Sequence, residues 1–226
     1  MLRRYSTIFH TKSSLSSSLH KRIAGLPRHM SDLQKQQPTA LIPVADGTEE
    51  IEAITLADVL ARGNVKVTMA SVGKKPENIV HMSRGVKVQA DLAIEACVDL
   101  QFDLIVLPGG LPGANHLRDC EFLIKLLKQQ KHEGKWYGAI CASPAVILSA
   151  HDLLPIKVTG YPGFEKEFGK CELTNERVVV SENCITSQGP ATAMEMGVKL
   201  VELLCGTEKA AEVAKGLLLN TENIRK

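Results

Sequence analysis

No run of about 18 consecutive apolar residues occurs in this 226-residue chain, which excludes a membrane-spanning helix and leaves no membrane partner to expect. Its six cysteines, at 97, 120, 141, 171, 184 and 205, are never closer than 13 apart. There is thus no C-x-x-C pair and no histidine-spaced partner, and no metal site is expected. A chain of this length builds a core without such staples. The G-x-G-x-x-G and Walker patterns are both missing, so neither a dinucleotide nor a bound phosphate is called for. Long disorder is also excluded, because 44% of residues are hydrophobic and the net charge is only +2.

Acidic residues are absent from one place, the first 31 positions, which carry Arg3, Arg4, Lys12, Lys21, Arg22 and Arg28 among many serines. Without an apolar core this is not a secretory signal; it has the composition of an organelle transit peptide, and a mitochondrial location is expected. Met30 offers an internal start for a cytosolic form. The remainder holds 21 basic against 25 acidic residues, a net of −4, with no basic stripe, so no stable nucleic-acid complex is expected. The expected organisation is a presequence over 1–31, a polar linker over 32–38 and a single domain over 39–226.

Within that domain apolar runs alternate with helical patterns. Strands are expected over 40–45, 66–72, 104–107 and 136–140, and a hairpin over 79–90 turning at Ser83-Arg84-Gly85. A further strand or hairpin is expected over 178–186. Helices are expected over 51–62, from the Pro108-Gly109-Gly110 turn to about 131, over 144–153, and from about 190 and 207. The alternation implies βαβ units, hence a three-layer α/β sandwich with a mostly parallel sheet covered on both faces. Sites in such sheets form at the carboxyl ends of the strands.

Three strand-end turns carry chemistry. Ala139-Ile140-Cys141-Ala142-Ser143 sets a cysteine between a buried strand and a helix, with small residues two positions to either side, the arrangement of a nucleophile elbow. A thiol at a helix N-terminus faces the positive end of the dipole, which is expected to lower its pKa. A buried structural cysteine is an equally good reading of this pattern alone. Pro108-Gly109-Gly110-Leu111-Pro112-Gly113 follows the neighbouring strand. Its glycines allow close backbone approach and can aim N–H groups at a developing oxyanion, though a plain Gly-Pro turn explains the stretch as well. The third turn opens a helix with Glu49, Glu50 and Glu52. Acids there complement the dipole, and the helix is apolar nearly all round, so periodicity does not choose among the three. No histidine adjoins Cys141 (His81, His116, His132 and His151 lie in loops or helix ends), so a Cys-Glu site is the sharper hypothesis.

Together, Ala45-Asp46-Gly47-Thr48-Glu49-Glu50-Ile51-Glu52, Leu107-Pro108-Gly109-Gly110, Ala139-Ile140-Cys141-Ala142 and Thr186-Ser187-Gln188-Gly189-Pro190 resemble the ThiJ/PfpI superfamily over about residues 39–220. More narrowly, they are similar to its Parkinsonism-associated protein deglycase branch, in the YajL-like form. The resemblance implies a homodimeric, flavodoxin-like domain that needs no cofactor. It implies Cys141 as nucleophile, Glu52 as a protonated carboxyl hydrogen-bonded to it, and the N–H groups of Gly110 and Ala142 as oxyanion hole, with Gly109 beside them. Asp58, Arg62 and Arg84 fall where the family has charges near the site and the dimer contact, and Pro190 where a proline approaches from the partner subunit. The activity implied is glyoxalase or deglycase chemistry on methylglyoxal, glyoxal and their early protein or nucleotide adducts, protective in oxidative and carbonyl stress. The alternative implied is a redox-sensing chaperone whose cysteine becomes a sulfinate. Two departures stand out: Tyr161 occupies a position where the branch often has histidine, and Ala191 replaces a glycine after Pro190. Ala142, where PfpI-type peptidases have histidine, speaks against peptidase or amidotransferase chemistry; a cysteine amide hydrolase ranks third and would need a histidine reaching Cys141.

Overall fold

A computed structural model describes residues 36–219; the predicted presequence, most of the predicted linker, Met30 and the last seven residues lie outside the described residues. Seven strands form one sheet: β1 (Thr39–Val44), β2 (Lys66–Ser71), β5 (Leu92–Ala93), β6 (Leu104–Leu107), β7 (Trp136–Ile140), β10 (Val178–Ser181) and β11 (Cys184–Ser187). Their spatial order is β10-β11-β7-β6-β1-β2-β5, and every pairing is parallel except β10 with β11. The predicted hairpin is the antiparallel pair β3 (Ile79–His81) and β4 (Lys87–Gln89). A small parallel pair, β8 (Lys157–Val158) with β9 (Glu172–Leu173), was not anticipated.

The helices are α1 (Glu50–Arg62), α2 (Gly113–Arg118), α3 (Glu121–Glu133), α4 (Ala193–Cys205) and α5 (Thr207–Gly216). Strand alternation delivers two cores. From β1, Ala40, Ile42 and Val44 join α1 and α4 on one face, while Leu41 joins α2 and α3 on the other; β6 divides likewise, with Leu104 and Val106 on the first face and Ile105 and Leu107 on the second. Burial on both faces is why these runs are continuously apolar. Gly197 permits the close approach of α4 to α1, since a Cβ added there would lie 2.8 Å from Cγ1 of Val59.

Two expected helices differ. The one expected from the glycine turn to 131 is broken between α2 and α3, where the backbone of Cys120 is extended and interrupts the helical run. The one expected over 144–153 is a π-helical turn, Pro144–Leu148, followed by a 3₁₀ turn, Ser149–His151. The carboxyl ends of β1, β6 and β7, adjacent in the sheet, bring the three chemical turns to one place. The fold is the expected α/β type, with one antiparallel edge strand.

Candidate functional site

Beyond β7 the chain turns at Cys141 with φ at +65°, a region a non-glycine residue enters at a cost on the order of 1–2 kcal/mol. Three backbone hydrogen bonds hold the turn. Cys141 N–H donates to the Ser187 carbonyl at 3.0 Å, Tyr161 N–H donates to the Cys141 carbonyl at 2.9 Å, and Val146 N–H donates to the Ala142 carbonyl at 2.8 Å. Ser143 adds a fourth tie that the sequence reading missed: its buried hydroxyl donates to the Pro108 carbonyl at 2.6 Å, fastening the elbow to the glycine turn.

That glycine turn has no room for side chains. A Cβ on Gly109 would lie 2.6 Å from the Cβ of Cys141 and 3.0 Å from the Ile140 carbonyl. Gly110 has φ at +89°, and a Cβ there would lie 2.5 Å from the Glu49 nitrogen. The N–H groups of Gly110 and Ala142 lie near enough to the Cys141 sulfur to favour its anion. Two backbone donors beside the sulfur are within reach of an oxygen bonded to the carbon that the sulfur attacks.

The three glutamates separate by what lies opposite each. Glu49 caps α1, accepting from Glu52 N–H at 2.8 Å. Glu50 accepts from the Ser83 hydroxyl at 2.7 Å and from Arg84 N–H at 2.8 Å, so it anchors the tip of the β3–β4 hairpin. Burial pushes the Glu50 carboxyl up, but these donors outweigh it and the net shift is downward. Glu52 is wholly buried and accepts from Gly109 N–H at 2.7 Å. Its other oxygen, Oε1, is buried and has no hydrogen-bond partner among the described residues. Its remaining polar neighbours are the Cys141 thiol and the Glu49 carboxylate.

Burial, and secondly the Glu49 charge, raise Glu52 to about 7 against opposing hydrogen bonds from Gly109 and Cys141. Cys141 is pushed up to about 12, first by burial and then by the Glu52 carboxylate, while the two amides pull the other way. With Glu52 ionised, the lowering expected from a helix dipole is outweighed at Cys141. Only a π-helical turn follows the elbow, and desolvation beside a carboxylate outweighs it.

Asp58 and Arg62 form an exposed 2.7 Å ion pair along α1. The Arg84 side chain lies at the hairpin tip, 3.4 Å from the Ser83 carbonyl. None of the three hydrogen-bonds Cys141 or Glu52. Pro190 opens a 3₁₀ turn after β11, closed by Thr192, whose hydroxyl lies 2.6 Å from that of Ser187. Tyr161, half exposed, joins the site through its backbone. Among the described residues no histidine hydrogen-bonds Cys141; His151, for one, is spent on the Arg118 carbonyl. Nor does any helix among them have the length and apolarity to cross a membrane.

A model of the DJ-1/PfpI family matches residues 38–203. Protein DJ-1 homolog B of Arabidopsis thaliana is 40% identical over 183 residues, 80% of this chain but only 41% of that protein. The glutathione-independent glyoxalase DJR-1.2 of Caenorhabditis elegans is 38% identical over 181 residues, covering 79% of this chain and 94% of its own. Among solved structures, oxidized DJ-1 of Toxoplasma gondii is 44% identical with a TM-score of 0.77, over 80% of this chain and 98% of that one.

Proposed function

The chain belongs to the DJ-1/PfpI family, and on that premise we propose that it is a cofactor-independent glyoxalase acting on methylglyoxal and glyoxal through Cys141. One observation carries the reading: a buried thiol and a buried carboxyl share a site in which the backbone N–H groups of Gly110 and Ala142 favour charge on the sulfur. The name of the Caenorhabditis relative supports the same chemistry.

Two interacting acids titrate as a pair. The value of about 12 at Cys141, set first by burial and then by the Glu52 charge, is for ionising sulfur beside an already ionised carboxylate, so above neutrality the pair keeps one proton. With that proton on Glu52, the sulfur anion accepts from Gly110, Ala142 and the carboxyl. With it on sulfur, the carboxylate has Gly109 alone at good geometry and a buried Oε1 without a partner. The count of donors favours charge at sulfur, and the proton rests on Glu52.

The thiolate attacks the aldehyde carbon of the 2-oxoaldehyde, forming a C–S bond and a hemithioacetal oxyanion that accepts from Gly110 and Ala142. Glu52 protonates an oxygen of the adduct, then takes the proton from the former aldehyde carbon and returns one to the neighbouring carbon. The product is a 2-hydroxyacyl thioester. Water cleaves it, releasing the hydroxy acid and restoring the thiol, with no net change of oxidation state. In the deglycase extension of this reading, the substrate is an early hemithioacetal or aminocarbinol on a protein or nucleotide. Methylglyoxal consumption with lactate detection, using residues 31–226 beside Cys141→Ser, tests the proposal. Turnover in the parent and none in the serine variant is expected, and turnover in both would overturn it.

A second reading, a redox-sensing chaperone, is favoured by the solved Toxoplasma relative being an oxidized form. The same donors would hold a Cys141 sulfinate. Mild peroxide should then oxidise Cys141 well before the other five cysteines and change holdase activity; equal oxidation of all six would sink it.

A homodimer is part of the proposal. Ile51 and Ile54 on α1 and Val86 at the hairpin tip are exposed apolar side chains, which a second copy would cover. Light scattering should give twice the chain mass, falling to one in Ile54→Lys. The basic, acid-free first 31 residues support mitochondrial import; a fluorescent fusion of those residues that stays cytosolic would refute it.

A further inference from the structure

We propose that Tyr161 is the specificity-determining residue of this site, and that its ring turns the enzyme toward 2-oxoaldehydes whose ketone carbon bears an aromatic or branched apolar group. The inference rests on the glyoxalase reading and adds to it a substrate class.

Tyr161 is tied to the nucleophile itself: its N–H donates to the Cys141 carbonyl at 2.9 Å. The preceding Gly160 lies so close that a Cβ added there would sit 3.5 Å from the same carbonyl. On the other side, Cys141 N–H is bonded to Ser187, two residues before Gly189. The Tyr161 ring lies against that glycine, with Cδ2 and Cε2 at 3.4 and 3.7 Å from where a Gly189 Cβ would be. The ring is thereby held between the elbow and the end of β11 by a backbone tether and a glycine shelf. It is nonetheless 47% exposed, and its hydroxyl hydrogen-bonds none of the described residues. An aromatic face anchored to the elbow's backbone and left open to solvent is unused contact area. Leu111, next in the chain to the oxyanion glycine, is also half exposed, so a second apolar side chain lies at the glycine turn.

A substrate held by a C–S bond to Cys141 and by its oxygen on Gly110 and Ala142 has one remaining substituent, the group on the ketone carbon. A methyl group leaves the tyrosine ring in water. A phenyl or branched alkyl group can cover it, and aromatic pairing of this kind is worth up to about tenfold in a binding ratio. An imidazole at this position would offer a polar edge and a proton; the phenol ring offers a face.

The test uses two readouts on the parent, Tyr161→Phe and Tyr161→Ala. The first is the ratio of kcat/KM for phenylglyoxal to that for methylglyoxal. The second does not depend on turnover: the rate at which Cys141 is alkylated by phenacyl bromide relative to bromoacetone, each a displacement of bromide by sulfur, normalised to the same ratio for glutathione. Both ratios are insensitive to a small unfolded fraction, which cancels. The parent and Tyr161→Phe should favour the aryl reagent about tenfold over the free-thiol ratio, and Tyr161→Ala should bring it back to that ratio. A parent ratio equal to that of glutathione, or a preference that survives in Tyr161→Ala, overturns the assignment. If alkylation shows the preference while neither aldehyde is turned over, the Tyr161 assignment stands and the glyoxalase reading falls. If both aldehydes are consumed at ratios indifferent to residue 161, the reverse holds.

Discussion

Replacing Glu52 by Gln should stabilise the protein, and only above mildly acidic pH. The Glu52 carboxyl is raised from 4.5 to about 7, so between those values the folded state binds a proton that the unfolded chain has released. Stability then falls as pH rises through this window, at about 1.36 kcal/mol per pH unit. The loss is complete once the folded pair has released its first proton and amounts to about 3 kcal/mol. The sign is that of a group whose folded pKa is raised: its stabilising contribution is whole below pH 4.5 and gone above about 7. It also holds wherever the remaining proton rests, because linkage counts protons on the pair. Glutamine keeps an acceptor for Gly109 N–H and carries no ionisable group, so the variant escapes the loss. Urea unfolding of parent and Glu52→Gln at pH 4.5, 6, 7 and 8.5 should show a difference near zero at the lowest pH, growing to about 3 kcal/mol with unchanged m-values. A difference independent of pH would refute the reasoning.

Three further substitutions probe the frame around the pair. Gly109→Ala should cost about 1–3 kcal/mol of stability by overpacking Cys141, and at least about a hundredfold in glyoxalase rate by displacing it; a rate within tenfold of the parent contradicts the crowding argument. Ser143→Ala leaves the buried Pro108 carbonyl without its donor and should cost about 1–3 kcal/mol in thermal or urea unfolding. Glu50→Ala removes both acceptors at the hairpin tip, so the Arg84 amide should exchange with solvent about tenfold faster or more, while amides in β6 should not change.

Much of the fold was legible because the strands are buried on both faces. Residues 104–107 have no polar interruption, and a chain alternating such runs with helices has few topologies open to it. The 79–90 hairpin could be read because Ser83-Arg84-Gly85 punctuates an alternating stretch. The break between α2 and α3 was not legible: nothing in the spacing distinguishes Asp119-Cys120 from a helix interior, and the extended backbone at Cys120 is visible only in three dimensions. The π-helical turn after Cys141 was equally hidden behind an apolar pattern that suits a regular helix. At the site, Cys141 and the glycine turn announced themselves by small neighbours, whereas the choice among Glu49, Glu50 and Glu52 did not. That choice depends on Ser83, 33 residues away, and on Gly109, 57 residues away. The direction of the thiol shift depended on the same long-range contact. A dipole is visible locally, but the burial and the carboxylate that oppose it are not.

The central claim is that thiol and carboxyl share one proton, with the charge on sulfur. Thiolate absorbance near 240 nm, taken as the difference between the parent and Cys141→Ser from pH 4 to 10, tests it most directly. A single one-thiolate step centred below pH 8 and complete by about pH 9 is expected. A difference spectrum that stays flat to pH 9 would put the first lost proton on Glu52 instead, and would contradict the account.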